Sequence, residues 1–270
     1  MPKSDTNVPG IVPRQTKRFG WIPDLPDNRD HLFAAPMLGL AGVPTSIDLR
    51  QKCPPVYDQG NLGSCTANAI GAAIQFNQMK QKLKKTFMPS RLFIYYNERE
   101  IEGTVAFDNG AMIRDGIKSV AAVGVCPESM WKYTHQDPGP YQTKPNAQCY
   151  SKAVQYKALN YARVTRNLNQ MKGCLSSGYP FVFGFSVYDS FMSTKVKTTG
   201  IASMPNTQKE HLLGGHAVMA VGYDDKNSWF VVRNSWGTGW GMKGYFTMPY
   251  TYLLDGNLSD DFWTIRLVAG

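Results

Sequence analysis

The 270-residue sequence predicts an α+β protein, with a helical N-terminal half followed by a β-rich C-terminal half. Small and apolar residues recur at steps of three and four in the first half, as on one packed face of a helix. β-Branched and aromatic runs, broken by glycine and by paired aspartates, fill the second half as in an antiparallel barrel or sheet. No internal repeat is visible. The length and a hydrophobic content of 43% suit one large domain or two modest ones with a sizeable core.

Residues 1–42 read as an extended arm, punctuated by Pro9, Gly10, Pro13, Gly20, Pro23 and Pro26 and lacking any helical or strand period. Phe19, Trp21, Ile22, Leu25, Leu32 and Phe33 would not rest in water, so the arm is expected to dock on the body. Over 64–85, Cys65, Ala69, Ala72, Ala73, Phe76, Met79 and Leu83 keep helical spacing, and Cys65 opens that helix. A second helix is expected over 111–122 and a shorter third over 167–176. The strand-like runs are 180–187, 216–223 and 228–234.

The net charge of +9 lies in short clusters such as Lys80, Lys82, Lys84 and Lys85, which read as a solvated helix face. No nucleic-acid motif accompanies them, so no nucleic-acid partner is expected. Nothing approaches the roughly 18 apolar residues of a membrane span, and residues 1–20 lack the apolar core of a signal peptide. The chain as given is expected to be soluble, working either inside its cell or outside it after loss of a leader. Its five cysteines are odd in number. That suggests one working thiol, with Cys53, Cys126, Cys149 and Cys174 either forming up to two disulfides or remaining as buried thiols.

The chemistry concentrates in three segments. In Gln59-Gly60-Asn61-Leu62-Gly63-Ser64-Cys65 a cysteine begins a helix after a glycine-bearing loop, where the helix dipole stabilises a thiolate. Alone, such a cysteine is more often a small buried residue. Gly214-Gly215-His216-Ala217-Val218 places a histidine at a strand mouth, with glycines that let another backbone approach. Asn234-Ser235-Trp236-Gly237-Thr238-Gly239-Trp240-Gly241 ends a strand with an amide followed by indoles, which by itself is a turn with aromatic filler. Together they supply a nucleophile, a base, an orienter and oxyanion donors. Cys65 would attack, His216 would hold and return the proton, and Asn234 would fix the imidazole. Gln59 would donate to the oxyanion beside the Cys65 N–H, and Trp236 would shield the Asn234–His216 bond from water.

These motifs resemble the papain family of cysteine proteases. The six-residue step from Gln59 to Cys65 is kept, the Asn234 segment is nearly that family's own, and Val43-Pro44-Thr45-Ser46-Ile47-Asp48-Leu49-Arg50 resembles its mature start. The likeness spans about residues 43–246. It implies a two-lobe fold, with a helical lobe over about 43–160, an antiparallel β-barrel lobe over about 161–270, and the active-site cleft between them. It also implies a monomeric cysteine endopeptidase acting on protein or peptide substrates without cofactor or metal. By the same likeness Gly110 and Ala111 would pair with substrate main chain, while Met112, Ile113, Gly184 and Ala217 would line an apolar second subsite. Met112 and Ile113 would serve equally well as core residues of their helix. Residues 1–42 would be a short pro-segment along the cleft, anchored by 21–26, or else a constitutive structural arm. No paired-histidine insertion points to dipeptide removal.

Leu62 stands where most relatives carry a cysteine, which removes one common disulfide. Thr66-Ala67 replaces Trp-Ala after the nucleophile, and with Asn61 and Asn68 this resembles bacterial-type members. Two rival readings are a non-catalytic binding protein of the same fold and an acyl-transfer enzyme of another class that uses a Cys–His pair. The intact Cys65, Gln59, His216 and Asn234 argue against the first, and the Asn-Ser-Trp-Gly segment against the second.

Overall fold

A computed structural model of the chain describes residues 19–35, 42–136 and 139–269, and the elements below are those of the described residues. In chain order they begin with β1 (Trp21–Ile22), β2 (Leu32–Phe33), β3 (Ser46–Asp48), α1 (Cys65–Lys80), α2 (Arg91–Glu102), β4 (Ala111–Met112), α3 (Ile113–Val123) and α4 (Ala147–Ala153). They continue with β5 (Ala158–Val164), α5 (Leu168–Ser176), β6 (Phe181–Tyr188), α6 (Thr194–Thr199), β7 (Leu212–Asp224), β8 (Trp229–Arg233), β9 (Tyr245–Pro249), α7 (Tyr250–Leu254) and β10 (Ser259–Val268). No helix among them is long and apolar enough to cross a membrane.

α1 is the central helix. Every residue from Cys65 to Ile74 is buried, the polar Thr66 and Asn68 included, so the helix is packed on all sides. It ends at Lys80, short of the expected 85, because Lys82 turns left-handed at φ 53°. The Lys82 and Leu83 N–H groups then bond back to the carbonyls of Met79 and Gln78, closing the helix end. α2 packs beside it between two ordinary helix signals, a Ser90 hydroxyl capping the Phe93 N–H and Gly103 left-handed at φ 71°. α5 starts one residue later than read, with the Asn167 side chain capping its first turn.

β1 and β4 form a two-stranded sheet, and the other strands form one sheet in the order β2-β5-β10-β6-β7-β8-β9, with β3 added on β7. In the larger sheet every pairing is antiparallel except that of β2, which runs parallel to β5. β6, β7 and β8 match the three strand-like runs of the sequence, with β7 starting earlier at Leu212. The inner face carries Phe181, Phe183, Phe185, Phe230 and Phe262, ring against ring at 5.8–6.2 Å. α1 packs between this sheet and α2–α3, so its first residue lies where the two halves meet.

The expected helix over 111–122 begins only at Ile113, since Ala111 and Met112 pair as a strand with Trp21 and Ile22 of the arm. The two disulfides allowed by the cysteine count are absent, and all five cysteines are thiols. Three of the four accessory sulfurs reach a nearby carbonyl instead, Cys53 to Leu49, Cys149 to Met130 and Cys174 to Tyr179. Cys126 lies beside Cys149, and burial pushes its thiol far up.

Candidate active site

The start of α1, the Asp58–Gly63 loop, the middle of β7 and the segment after β8 converge where the halves meet. Cys65, His216 and Gln59 are fully buried, and Asn234 nearly so. Asn234 Oδ1 accepts from the Ser235 N–H at 2.8 Å, which fixes that atom as the amide oxygen. It also faces His216 Nε2 at 2.8 Å, so Nε2 must carry the hydrogen. Trp236 stacks on the imidazole with centroids 4.7 Å apart and planes 28° apart, covering that bond from water.

Gln59 is stitched to the same segment. Its N–H donates to Ser235 O at 2.9 Å, its Oε1 accepts from Ser235 Oγ at 2.6 Å, and its Nε2 donates to Leu62 O at 2.9 Å. The amide is therefore oriented by two partners from opposite sides. Of the expected subsite residues, Gly184 and Ala217 lie opposite one another on β6 and β7, and Ala217 directs its N–H at the Cys65 sulfur. Gly110 is left-handed at φ 84° and Ala111 is buried beside it. Ile113 is wholly buried in the core cluster, as is Ala217. Met112 is half-buried and edges a cavity of about 770 Å³ shared with Leu25, Arg29, Glu102 and Arg114.

The arm lies on these residues. Ala111 N–H donates to Gly20 O at 2.7 Å, and the Gly20 N–H, with those of Ala217 and Thr66, points at the Cys65 sulfur. A Cβ on Gly20 would sit 1.6 Å from Gly63 O, so only glycine passes there. Phe19 meets His216 edge-on at 6.2 Å. Trp21 lies flat over Gly184, where a Cβ would stand 2.0 Å from its ring, and its Nε1 donates to Asp261 Oδ2 at 2.9 Å. Downstream, Asp24 and Asp30 meet Arg114 and Arg163. Asp24 accepts from Arg114 N–H at 3.0 Å and Trp263 Nε1 at 2.9 Å, and Asp30 bonds Arg114 Nη2 at 2.7 Å.

This cover changes the thiol. The sequence reading expects a lowered pKa at a helix start, whereas burial beneath the arm pushes Cys65 up to about 12 despite the three N–H groups that lower it. Desolvation outweighs the helix dipole as long as water is excluded. Sequence reasoning missed Asp24, Asp30, Arg114, Arg163 and Asp261, since no local pattern joins Trp21 to a carboxylate 240 positions away. It also missed Glu98, wholly buried on α2, whose Oε1 accepts from Thr66 Oγ1 at 2.6 Å.

A buried cysteine on a helix start, an imidazole oriented by an amide oxygen and an oriented glutamine amide define a thiol-dependent hydrolase. The chain belongs to the papain family of cysteine proteases, whose family model matches residues 43–252. It is 43% identical to an uncharacterised peptidase C1-like protein of Acanthamoeba polyphaga mimivirus, across 94% of this chain and 88% of that one. Cysteine proteinase 1 of Entamoeba histolytica is 30% identical over 80% of this chain and 65% of its own length. Among solved structures, xylellain, a cysteine protease from Xylella fastidiosa, superposes with a TM-score of 0.89 at 46% identity, covering 95% of this chain and 98% of that one. The α+β fold and the peptidase assignment read from the sequence both stand.

Proposed function

We propose that the protein is a latent cysteine endopeptidase in which Cys65 is the nucleophile, His216 the proton carrier, Asn234 its orienter and Gln59 an oxyanion donor, with the arm occupying the substrate cleft. The contact of Gly20 with both Ala111 and the Cys65 sulfur carries this reading. A peptide main chain already runs through the place where a substrate carbonyl must meet sulfur.

Once the arm leaves, water reaches Cys65 and the helix start favours the thiolate beside a protonated His216. The sulfur adds to the substrate carbonyl, and the charge on oxygen is taken up by the Cys65 N–H and Gln59 Nε2. His216 gives its proton to the leaving amine as the carbon–nitrogen bond breaks. A water then loses a proton to His216, attacks the thioester and frees the acid, restoring the pair. Gly110 and Ala111 hold the substrate main chain through the groups that now meet Gly20 and Trp21. Gly184, Ala217 and the exposed edge of Met112 receive a side chain where the indole of Trp21 lies. The protein is read as a monomer.

β1 runs parallel to β4, and Pro23 follows two residues after the buried indole. Both features suit a segment that rests in the cleft without being cut. The test places a site for a specific protease between Ala35 and Val43, so that the chain folds whole and is then nicked. Hydrolysis of a dipeptidyl fluorogenic amide should appear on nicking and vanish with an epoxide thiol inhibitor. Equal turnover before and after the nick would make the arm structural. No turnover by the nicked protein once its arm has been separated from it would reject the assigned roles.

A further inference from the structure

We infer that Tyr133 is a positioning residue of the oxyanion hole, fixing the Gln59 loop and the start of α1 against each other through one hydroxyl. The inference rests on the roles proposed for Cys65 and Gln59. Those two oxyanion donors come from different segments, a loop and a helix start, and stabilise charge only while their separation stays within a few tenths of an ångström.

Tyr133 touches both segments. Its hydroxyl donates to Gln59 O at 2.8 Å and lies 2.6 Å from Ser64 Oγ, the residue before Cys65. A carbonyl only accepts, so the single phenolic hydrogen goes to Gln59, and Ser64 must donate to Tyr133. Asn68 Nδ2 in turn donates to Ser64 O at 2.9 Å and Ser64 Oγ at 3.1 Å. The bonds run one way, from helix through serine and tyrosine to the loop, and such chains polarise one another. Ser64 makes no side-chain cap to its own helix, so its hydroxyl is given over to this link.

The phenol ring is itself held. The Arg91 guanidinium lies 3.8 Å from its centroid. Arg91 is gripped by both oxygens of Glu128, at 2.8 and 2.7 Å, and donates to Asp58 O at 2.9 Å and Asn68 Oδ1 at 3.1 Å. The arginine thus spans the same loop and the same helix behind the tyrosine. Burial pushes the Tyr133 hydroxyl up to about 12, so it remains a donor throughout the working range.

The test uses the nicked full chain and compares Tyr133→Phe with the parent. Phenylalanine keeps the ring on Arg91 and removes only the hydroxyl. Deleting an oxyanion donor outright costs about 10²–10³ in kcat, so displacing one is expected to cost about ten- to fiftyfold in amide hydrolysis. Alkylation of Cys65 by iodoacetamide forms no oxyanion and should keep its rate and pH profile. Ser64→Ala, which cuts the link from the other side, should show the same split if Tyr133→Phe proves too unstable to study. Unchanged hydrolysis, or hydrolysis and alkylation falling together, would overturn the inference. A parent chain that alkylates but never hydrolyses would instead remove the peptidase roles on which it rests, and the inference with them.

Discussion

The indole N–H of Trp21 donates to the Asp261 carboxylate at 2.9 Å, and the Asp24 N–H donates to the same oxygen at 2.8 Å. An arm residue and the last strand of the sheet are thereby joined at the floor of the cleft. The ring is 8% exposed, so most of its apolar surface is buried in the contact.

Replacing Trp21 with alanine should unseat the arm while leaving the body folded. Removing a buried tryptophan costs about 3–5 kcal/mol. If about 3 kcal/mol of that falls on docking, the open fraction rises roughly a hundredfold. Peptide hydrolysis by the uncut variant should exceed that of the uncut parent, with thermal melting of the body little changed. Equal latency would show that Trp21 is not an anchor.

The arm should hold more tightly in mild acid than at neutral pH. Burial, and then the charge of Asp24, pushes Asp261 up to about 7, and burial raises Asp24 as well. Both face Arg163, and Asp24 also faces Arg114, yet desolvation prevails. Carboxyls with raised pKa bind protons more readily when the arm is seated than when water reaches them. Release therefore gives up protons and is favoured as pH rises from about 4 to about 7, levelling off above that. Size-exclusion chromatography of nicked protein at pH 5 and pH 8 measures this. Greater retention of the arm at pH 8 would contradict the linkage.

Cys65→Ala should abolish hydrolysis in the nicked chain and leave the fold intact, because no neighbouring group replaces the thiolate. Asn234→Ala should be milder. It removes a hydrogen bond that orients an imidazole charged during turnover, worth about 1.5–3 kcal/mol, or roughly ten- to a hundredfold in kcat. Steady-state kinetics separates the two, and an asparagine variant as dead as the cysteine variant would give Asn234 more than an orienting role.

Glu98→Gln should stabilise the protein more as pH rises. Complete burial raises the Glu98 carboxyl well above its ordinary value, against the weaker pull of Thr66. A group raised in the folded state lends its full stability below its unfolded pKa and loses it as pH climbs toward the folded one. Glutamine keeps the shape and has no proton to lose. The melting temperature of the variant relative to the parent should therefore grow from pH 4.5 to pH 8, and a difference that stays flat would refute the buried neutral acid.

Much of this was legible in the sequence. α1 and the strands β6, β7 and β8 are patterns that declare themselves within a single element of at most 16 residues. Cys65, Gln59, His216 and Asn234 stand out because each sits in a distinctive local setting, a glycine loop, a strand mouth or an indole-rich turn. Their convergence is seen in the structure, while their roles await the tests above. α2 was overlooked although Ser90 and Gly103 bracket it with ordinary start and stop signals, since its buried Arg91, Glu98 and Arg99 break the apolar stripe. β10 was overlooked for a related reason, as Asp260 and Asp261 make a buried strand read as a turn. The start of α3 could not be read from local sequence, for Ala111 and Met112 are extended only because Trp21 and Ile22 pair with them.

The covalent link between the arm and the body runs through the residues between Ala35 and Val43. If the arm is the occupant of the cleft proposed above, then while that link is whole it confronts the cleft at an effective concentration in the millimolar range, whatever the protein's own concentration. Once it is cut, the same contacts must hold by mass action alone. Latency in the intact chain is then indifferent to dilution, whereas in the nicked chain it fades as the protein is diluted. A single cleavage there would turn a fixed lock into one that reports how crowded the enzyme is with its own detached arm.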